Sequence, residues 1–145
     1  RNILDEKNGP PPEVNLFNEK NNGDTLLKLI DNNLIKSAHD VSLGGIITAV
    51  AKMCIKGKKG INIKKPKFLM NEIEYLFAED QGRYIVEINR KDFKKVSDML
   101  NKNAVHFDEL GIIIENELYI NNKTKVTIDE LSASNKSWLT NYMSK

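Results

Sequence analysis

Apolar residues recur along this chain at helical and at strand spacing by turns, and the alternation sets out its elements. Leu16, Phe17, Leu26, Leu27, Leu29 and Ile30 suit a helix from about Leu16 to Asp31, with Asn15 placed to cap it. Gly23 falls inside that run, costs about 1 kcal/mol there, and predicts either a break or two short helices. Leu34 to Ala38 reads as a short buried strand leading into a turn at His39 and Asp40. Ile46, Ala49, Val50, Met53 and Cys54 then follow the i, i+3, i+4, i+7, i+8 stripe of a second helix. Gly44 and Gly45 open it, Gly57 and Gly60 end it, and Ile61 to Ile63 alternates like a strand.

The second half continues the mixture. Asn71 to Ala78 predicts a short helix with Ile73, Leu76 and Phe77 on one side, and a dense polar turn follows from Glu79 to Arg83. Arg83 to Ile88 has the alternation of a strand, and Arg90 to Asn101 that of an amphipathic helix carrying Phe93, Val96, Met99 and Leu100. Gly111 to Ile114 and Glu117 to Ile120, joined by Glu115 and Asn116, read as a β-hairpin. Lys123 to Ile128 adds an edge strand, and a terminal helix from Asp129 is anchored by Leu131, Trp138, Leu139 and Tyr142. Interleaved helices and strands with an antiparallel hairpin predict an α+β fold, a mixed or antiparallel sheet covered by helices mainly on one face.

Composition narrows the class of protein. The 145 residues carry a net charge of +2, with 40% apolar and 29% charged residues, enough for one domain with a core. So small a net charge argues against bulk binding to nucleic acid. No run approaches the roughly 18 apolar residues of a membrane span, so no membrane partner is expected. The one cysteine, Cys54, lies on an apolar helical stripe and is expected to be a buried small hydrophobe in a cytoplasmic protein. Residues 1–12 are polar and end in three prolines, which predicts a linker from a preceding domain, with the domain itself at 13–145.

Candidate chemistry gathers at two polar turns. Ser37 to Gly45, Ser-Ala-His-Asp-Val-Ser-Leu-Gly-Gly, places His39, Asp40, Ser42, Gly44 and Gly45 at a helix N-terminus, where unpaired N–H groups and the helix dipole favour an anion. The second turn supplies Glu79, Gln81 and Arg83, the last able to pair with a phosphate or to bridge Glu79 or Asp80 internally. A binding turn and a structural turn are both open on these grounds. His39 and His106 lack a Cys or His partner at zinc-ligand spacing. Asp40 and Glu79 could serve a hard cation such as Mg²⁺. Ser42 stands three residues from His39, but no Gly-x-Ser-x-Gly accompanies it, and local bonding of Ser42 to a turn amide is expected instead. The lysines between Lys56 and Lys67, with no aromatic or arginine among them, read as a solvated loop.

Taken together, these stretches resemble a known family. Ser37 to Ile47 followed by Ala49-Val-Ala-Lys-Met53 is similar to the signature of the C-terminal domain of the aminoimidazole ribonucleotide (AIR) synthetase-like superfamily. Pro11 to Leu16 with Glu19 and Gly23 resembles its lead-in helix, and Leu76-Phe-Ala-Glu-Asp-Gln-Gly-Arg83 with Tyr84 to Glu87 its second motif. Leu110-Gly111, Leu118 to Ile120 and Trp138 to Met143 fit its later elements, so the likeness covers roughly residues 9 to 145. Within the superfamily it looks most like the second such domain of the large synthetase subunit that makes formylglycinamidine ribonucleotide in purine biosynthesis.

The resemblance implies an ATP-dependent carbon–nitrogen ligase. ATP and Mg²⁺ activate formylglycinamide ribonucleotide, and ammonia from glutamine displaces phosphate. Its implied partners are the other domains of the same synthetase chain, a glutaminase subunit and a small third subunit. The family's catalytic histidine and most nucleotide and Mg²⁺ ligands lie in domains of the other type. A chain like this one therefore implies no catalytic or metal residue of its own, no ATP or Mg²⁺ held alone, and a cleft of auxiliary kind at His39, Asp40, Ser42, Gly44, Gly45, Glu79, Gln81 and Arg83. Leu43 departs from the acidic residue usual after the turn serine, which removes a possible cation ligand. The alternatives are an interaction module without a ligand site, or a domain from AIR synthetase itself. Phe77-Ala-Glu-Asp-Gln and the tryptophan helix speak against AIR synthetase.

Overall fold

The computed structural model describes residues 13–64 and 71–144. The expected linker at 1–12 lies outside the described residues, as do Lys65 and Lys67 of the lysine-rich loop. Along the chain run α1 (Leu16–Asp31), β1 (Ser37–Asp40), α2 (Gly45–Gly57), β2 (Gly60–Ile63), α3 (Glu72–Phe77) and β3 (Tyr84–Glu87). One 3-10 turn (Arg90–Asp92) leads into α4 (Phe93–Lys102), then β4 (Gly111–Ile114), β5 (Glu117–Ile120), β6 (Thr124–Thr127) and α5 (Ile128–Met143). The α+β class is as the sequence implies.

Helix α1 has the expected limits, capped by the Asn15 side chain accepting from the Asn18 N–H at 3.0 Å. It runs through Gly23 without a break, and a Cβ there would meet only the Tyr84 hydroxyl, at an ordinary 3.8 Å. α1 is tied to α4 through Asn103, whose carbonyl accepts from Asn21 Nδ2 at 2.7 Å and whose Oδ1 accepts from Lys28 Nζ at 2.8 Å.

The core forms where α2 meets the larger sheet. Ile46, Val50 and Cys54 on α2 share one buried cluster with Ile63 of β2, Leu76 of α3, Leu118 of β5 and Ile128 of α5. Cys54 is a buried thiol, as expected, and burial pushes its pKa up to about 11.

Two sheets frame this core. β1 and β3 form a two-stranded antiparallel ladder, and the other four strands are ordered β4-β2-β5-β6. The expected hairpin between β4 and β5 is therefore wrong: β2 lies between them, antiparallel to β4 and parallel to β5. A two-residue hairpin turn needs positive φ at one or both central residues, and neither Glu115 nor Asn116 has it. Their link instead steps across the start of β2, where the Gly60 N–H donates to the Glu115 carbonyl at 3.1 Å. The hairpin of this sheet is β5–β6, turned by Asn121 (φ +50°) and Asn122 (φ +56°). Asparagine tolerates that left-handed region better than most residues.

Three further expectations are corrected. The first strand begins at Ser37, not Leu34, so His39 and Asp40 end β1 and do not form the turn. On α3 only Leu76 is buried, while Ile73 and Phe77 face outward. On α5, Ile128 is buried and Leu131 packs on the core, but Trp138, Leu139 and Tyr142 are exposed and anchor nothing within the described residues. Among those residues no helix is long and apolar enough to cross a membrane.

Candidate functional site

The β1–β3 register brings the two polar turns together. Asp40 pairs with Tyr84, and the Val41 N–H donates to the Arg83 carbonyl at 2.9 Å, so the turn leaving β1 lies beside the turn entering β3. Between them opens a groove of about 470 Å³ that is largely open to solvent. Asp40, Ser42, Glu79, Gln81 and Arg83 line it, with Val41, Leu43, Gly82 and Tyr84 completing the walls. His39, Gly44 and Gly45 stand behind the lining. The His39 ring turns back on its own strand, its Nδ1 placed 2.6 Å from the Asp40 carbonyl oxygen, and this contact assigns the proton to Nδ1.

Gly44 and Gly45 shape the wall. Both have positive φ, and a Cβ on Gly45 would fall 2.6 Å from the Leu76 carbonyl oxygen and 2.7 Å from Phe77 Cα. Only glycine lets the head of α2 approach α3 this closely. Two of the N–H groups at the head of α2, those of Gly44 and Gly45, already have protein acceptors. Gly45 donates to the Ser42 carbonyl at 2.9 Å, and Gly44 donates to Glu79 Oε1 at 2.7 Å. The carboxylate of Glu79 thus sits at the N-terminus of α2, where the helix dipole favours negative charge. Ser42 closes its turn through its carbonyl, not its hydroxyl.

Arg83 is likewise engaged, its Nη2 donating to the Ala78 carbonyl and lying 3.3 Å from Asp80 Oδ2. Against this one cation the lining sets three carboxylates, those of Glu19, Asp40 and Glu79. Glu19 was not among the anticipated residues. It reaches the cleft from α1, its Cγ packed over Gly82 (φ +69°), while Asn22 on the next turn of α1 donates to the Gly82 carbonyl at 2.9 Å. Its Oε1 is buried without a hydrogen-bond partner, the only carboxylate oxygen so placed among the described residues. The helical spacing of Glu19, Asn22 and Gly23 marks one face of α1. Nothing local in the sequence says that this face meets a turn 60 residues away.

These residues do not fit a nucleotide or a metal by themselves. A triphosphate would meet an acidic lining whose only guanidinium is already paired. Among the described residues no three His, Cys, Asp or Glu side chains converge closely enough to hold an ion. No chemical step is assigned to this cleft alone.

A mixed four-stranded sheet backed by α2 and α5, with a two-stranded ladder presenting paired polar turns, defines the class of domain. The chain belongs to the family of AIR synthase related proteins, C-terminal domain, whose model matches residues 1–121. It is 65% identical over 143 residues to phosphoribosylformylglycinamidine synthase subunit PurL of Pelagibacter ubique, and 36% identical to the subunit of that name from Bartonella henselae. Each match covers 99% of this chain, which spans about a fifth of the length of these curated relatives (20% and 19%). Thermotoga maritima PurL complexed with FGAR has the same fold, with a TM-score of 0.75 at 20% identity over 89% of this chain and 23% of that one. The PurLQS structure from the same organism gives 0.69 at 22% identity, over 90% and 23%.

Proposed function

We propose that this chain is a C-terminal-type domain of a phosphoribosylformylglycinamidine synthase, following a linker at 1–12, and that it contributes one wall of a cleft completed by another domain of the same polypeptide. The observation that carries the reading is the 65% identity over 99% of the chain, a span that includes both polar turns. The whole enzyme is read as a cytoplasmic ATP- and Mg²⁺-dependent ligase converting formylglycinamide ribonucleotide to the amidine, with glutamine as the nitrogen source. A glutaminase subunit and a small third subunit are its proposed partners.

The acidic lining supports a division of labour. A wall with Glu19, Asp40 and Glu79 against one paired arginine suits a ligand whose phosphates are neutralised from the opposite side. The purified 145-residue chain is therefore expected to show neither ATP hydrolysis nor amidine formation, and turnover by it would overturn the reading. In the longer polypeptide, Asp40→Ala or Gln81→Ala is expected to change ADP binding measured by calorimetry, since both side chains line the cleft.

A second reading, an interaction module with no ligand site, is favoured by one observation: both glycine N–H groups of the first turn already have protein acceptors. Unchanged ADP binding in both variants would select it.

A further inference from the structure

Helix α5 starts in the core and leaves it. Ile128 is buried and Leu131 half-buried against the α2 cluster, whereas every residue from Ala133 to Ser144 is exposed. At 3.6 residues per turn, Ile128, Leu131, Trp138, Leu139, Tyr142 and Met143 share an arc of about 140°. The stripe that seats the first turn of the helix therefore continues, without changing face, beyond the body of the domain. Trp138 and Tyr142 lie on it as a stacked pair, ring centroids 5.6 Å apart and planes 11° from parallel, 65% and 66% exposed.

The chemistry of this stripe is that of a covered surface. From Leu131 to Ser144 the helix carries a single charged residue, Lys136, among serines, asparagines and a threonine. Helix faces that stay in water are usually rich in charge, while the centres of interfaces lose charge and gain Trp, Tyr and Met.

We propose that Trp138, Leu139, Tyr142 and Met143 form the seam along which this domain is clamped to the rest of its own, longer polypeptide. The proposal rests on the reading of the chain as one domain of a larger synthetase. Three arguments select a tethered neighbour over a diffusing one. The curated relatives are about five times as long as this chain, so in them most of the polypeptide is available to cover the helix. The four side chains offer on the order of 500 Å². A symmetric pair of copies would thus bury about 1,000 Å² in all, below the range of stable complexes. A covalently attached neighbour needs no such area, since its effective concentration is in the millimolar range. The near absence of charge also leaves nothing to steer a diffusing partner.

The test is hydroxyl-radical footprinting of Trp138, Tyr142 and Met143, read by mass spectrometry. It compares the 145-residue chain with the full polypeptide encoded by the same gene, at equal and low concentration. The expected result is labelling about tenfold lower in the full polypeptide, as for side chains in a desolvated interface core. Equal labelling in a longer polypeptide overturns the seam and leaves the domain reading standing. Protection of the isolated chain that grows with its concentration assigns the face to a second copy and also overturns the seam, as does protection that appears only when another subunit is added. A gene encoding nothing beyond these residues overturns both. As a separate readout, the double variant Trp138→Ser, Tyr142→Ser is expected to leave the melting temperature of the 145-residue chain unchanged and to lower that of the full polypeptide. A drop in both would place the pair in the domain's own core.

Discussion

The backbone N–H of Gly44 donates to Oε1 of Glu79 at 2.7 Å, and this bond joins two turns that stand 35 residues apart in the chain. It ties the head of α2 to the turn that feeds β3. Glu79→Ala is expected to destabilise the domain by about 1 kcal/mol, the worth of a solvent-exposed charge-assisted bond at a helix N-terminus. Glu79→Gln, which keeps an acceptor, is expected to recover part of that loss. Urea unfolding of the two variants measures both, and wild-type stability in Glu79→Ala would show that the bond does not hold the turns.

The central place of β2 makes a second prediction. Ile63 is 1% exposed, with a paired strand on either side. Ile63→Ala is expected to cost about 2–5 kcal/mol, the range for a large-to-small change in a packed core. Ile112→Ala on the outer face of β4 is expected to cost well under half of that. The amides of Ile61 and Ile63 should also be among the slowest to exchange with deuterium. If β4 and β5 paired directly and β2 lay at an edge, exchange there would be fast.

The N-terminus of α5 is closed by a reciprocal cap. The Thr127 backbone N–H and hydroxyl donate to Glu130 Oε2 at 2.9 and 2.7 Å, and the Glu130 N–H donates back to Thr127 Oγ1 at 3.2 Å. The Thr127 N–H, then its hydroxyl, hold the Glu130 carboxyl below its ordinary value. Such a group adds stability above its unfolded-state pKa, about 4.3, and loses it as pH falls through the lower folded value. The melting temperature of wild type should therefore exceed that of Glu130→Gln at pH 6, and the gap should close on titration to pH 3. A gap that stays constant with pH would remove the charge from the argument.

Cys54 provides a test of the core that needs no substitution. With its thiol pushed up to about 11 by burial, its thiolate fraction at pH 8 should be about a hundredfold below that of an exposed cysteine. Alkylation by iodoacetamide is expected to be slow in buffer and fast in denaturant, and equal rates would mean that α2 does not shield it.

What could be read from the sequence divides along a physical line. Local signals carried α1, α2 and the Glu79–Arg83 turn, because a cap, a helical stripe and a polar cluster declare themselves within a few residues. Proximity in sequence suggests a β4–β5 hairpin, but backbone sign does not allow a two-residue turn there. The residues suited to positive φ, Asn121 and Asn122, sit one link later and turn the real hairpin. The outward stripe of α5 has the pattern of a core face for a related reason, since periodicity shows that a face is apolar and not what covers it. At the cleft, Asp40, Ser42, Glu79, Gln81 and Arg83 were found from the two turns, whereas Glu19 enters from a distant helix and left no local mark.

The insertion of β2 between β4 and β5 also dictates an order of events during synthesis. β2 ends at Ile63, whereas its neighbours begin at Gly111 and Glu117. At about 5–20 residues per second, β2 is made several seconds before either flank exists. Through that interval Ile61 and Ile63 present two open backbone edges at once, the condition under which a nascent strand pairs with a stranger. A strand flanked on both sides in the finished domain is thus open on both sides to chaperones and to aggregation while the domain is being born.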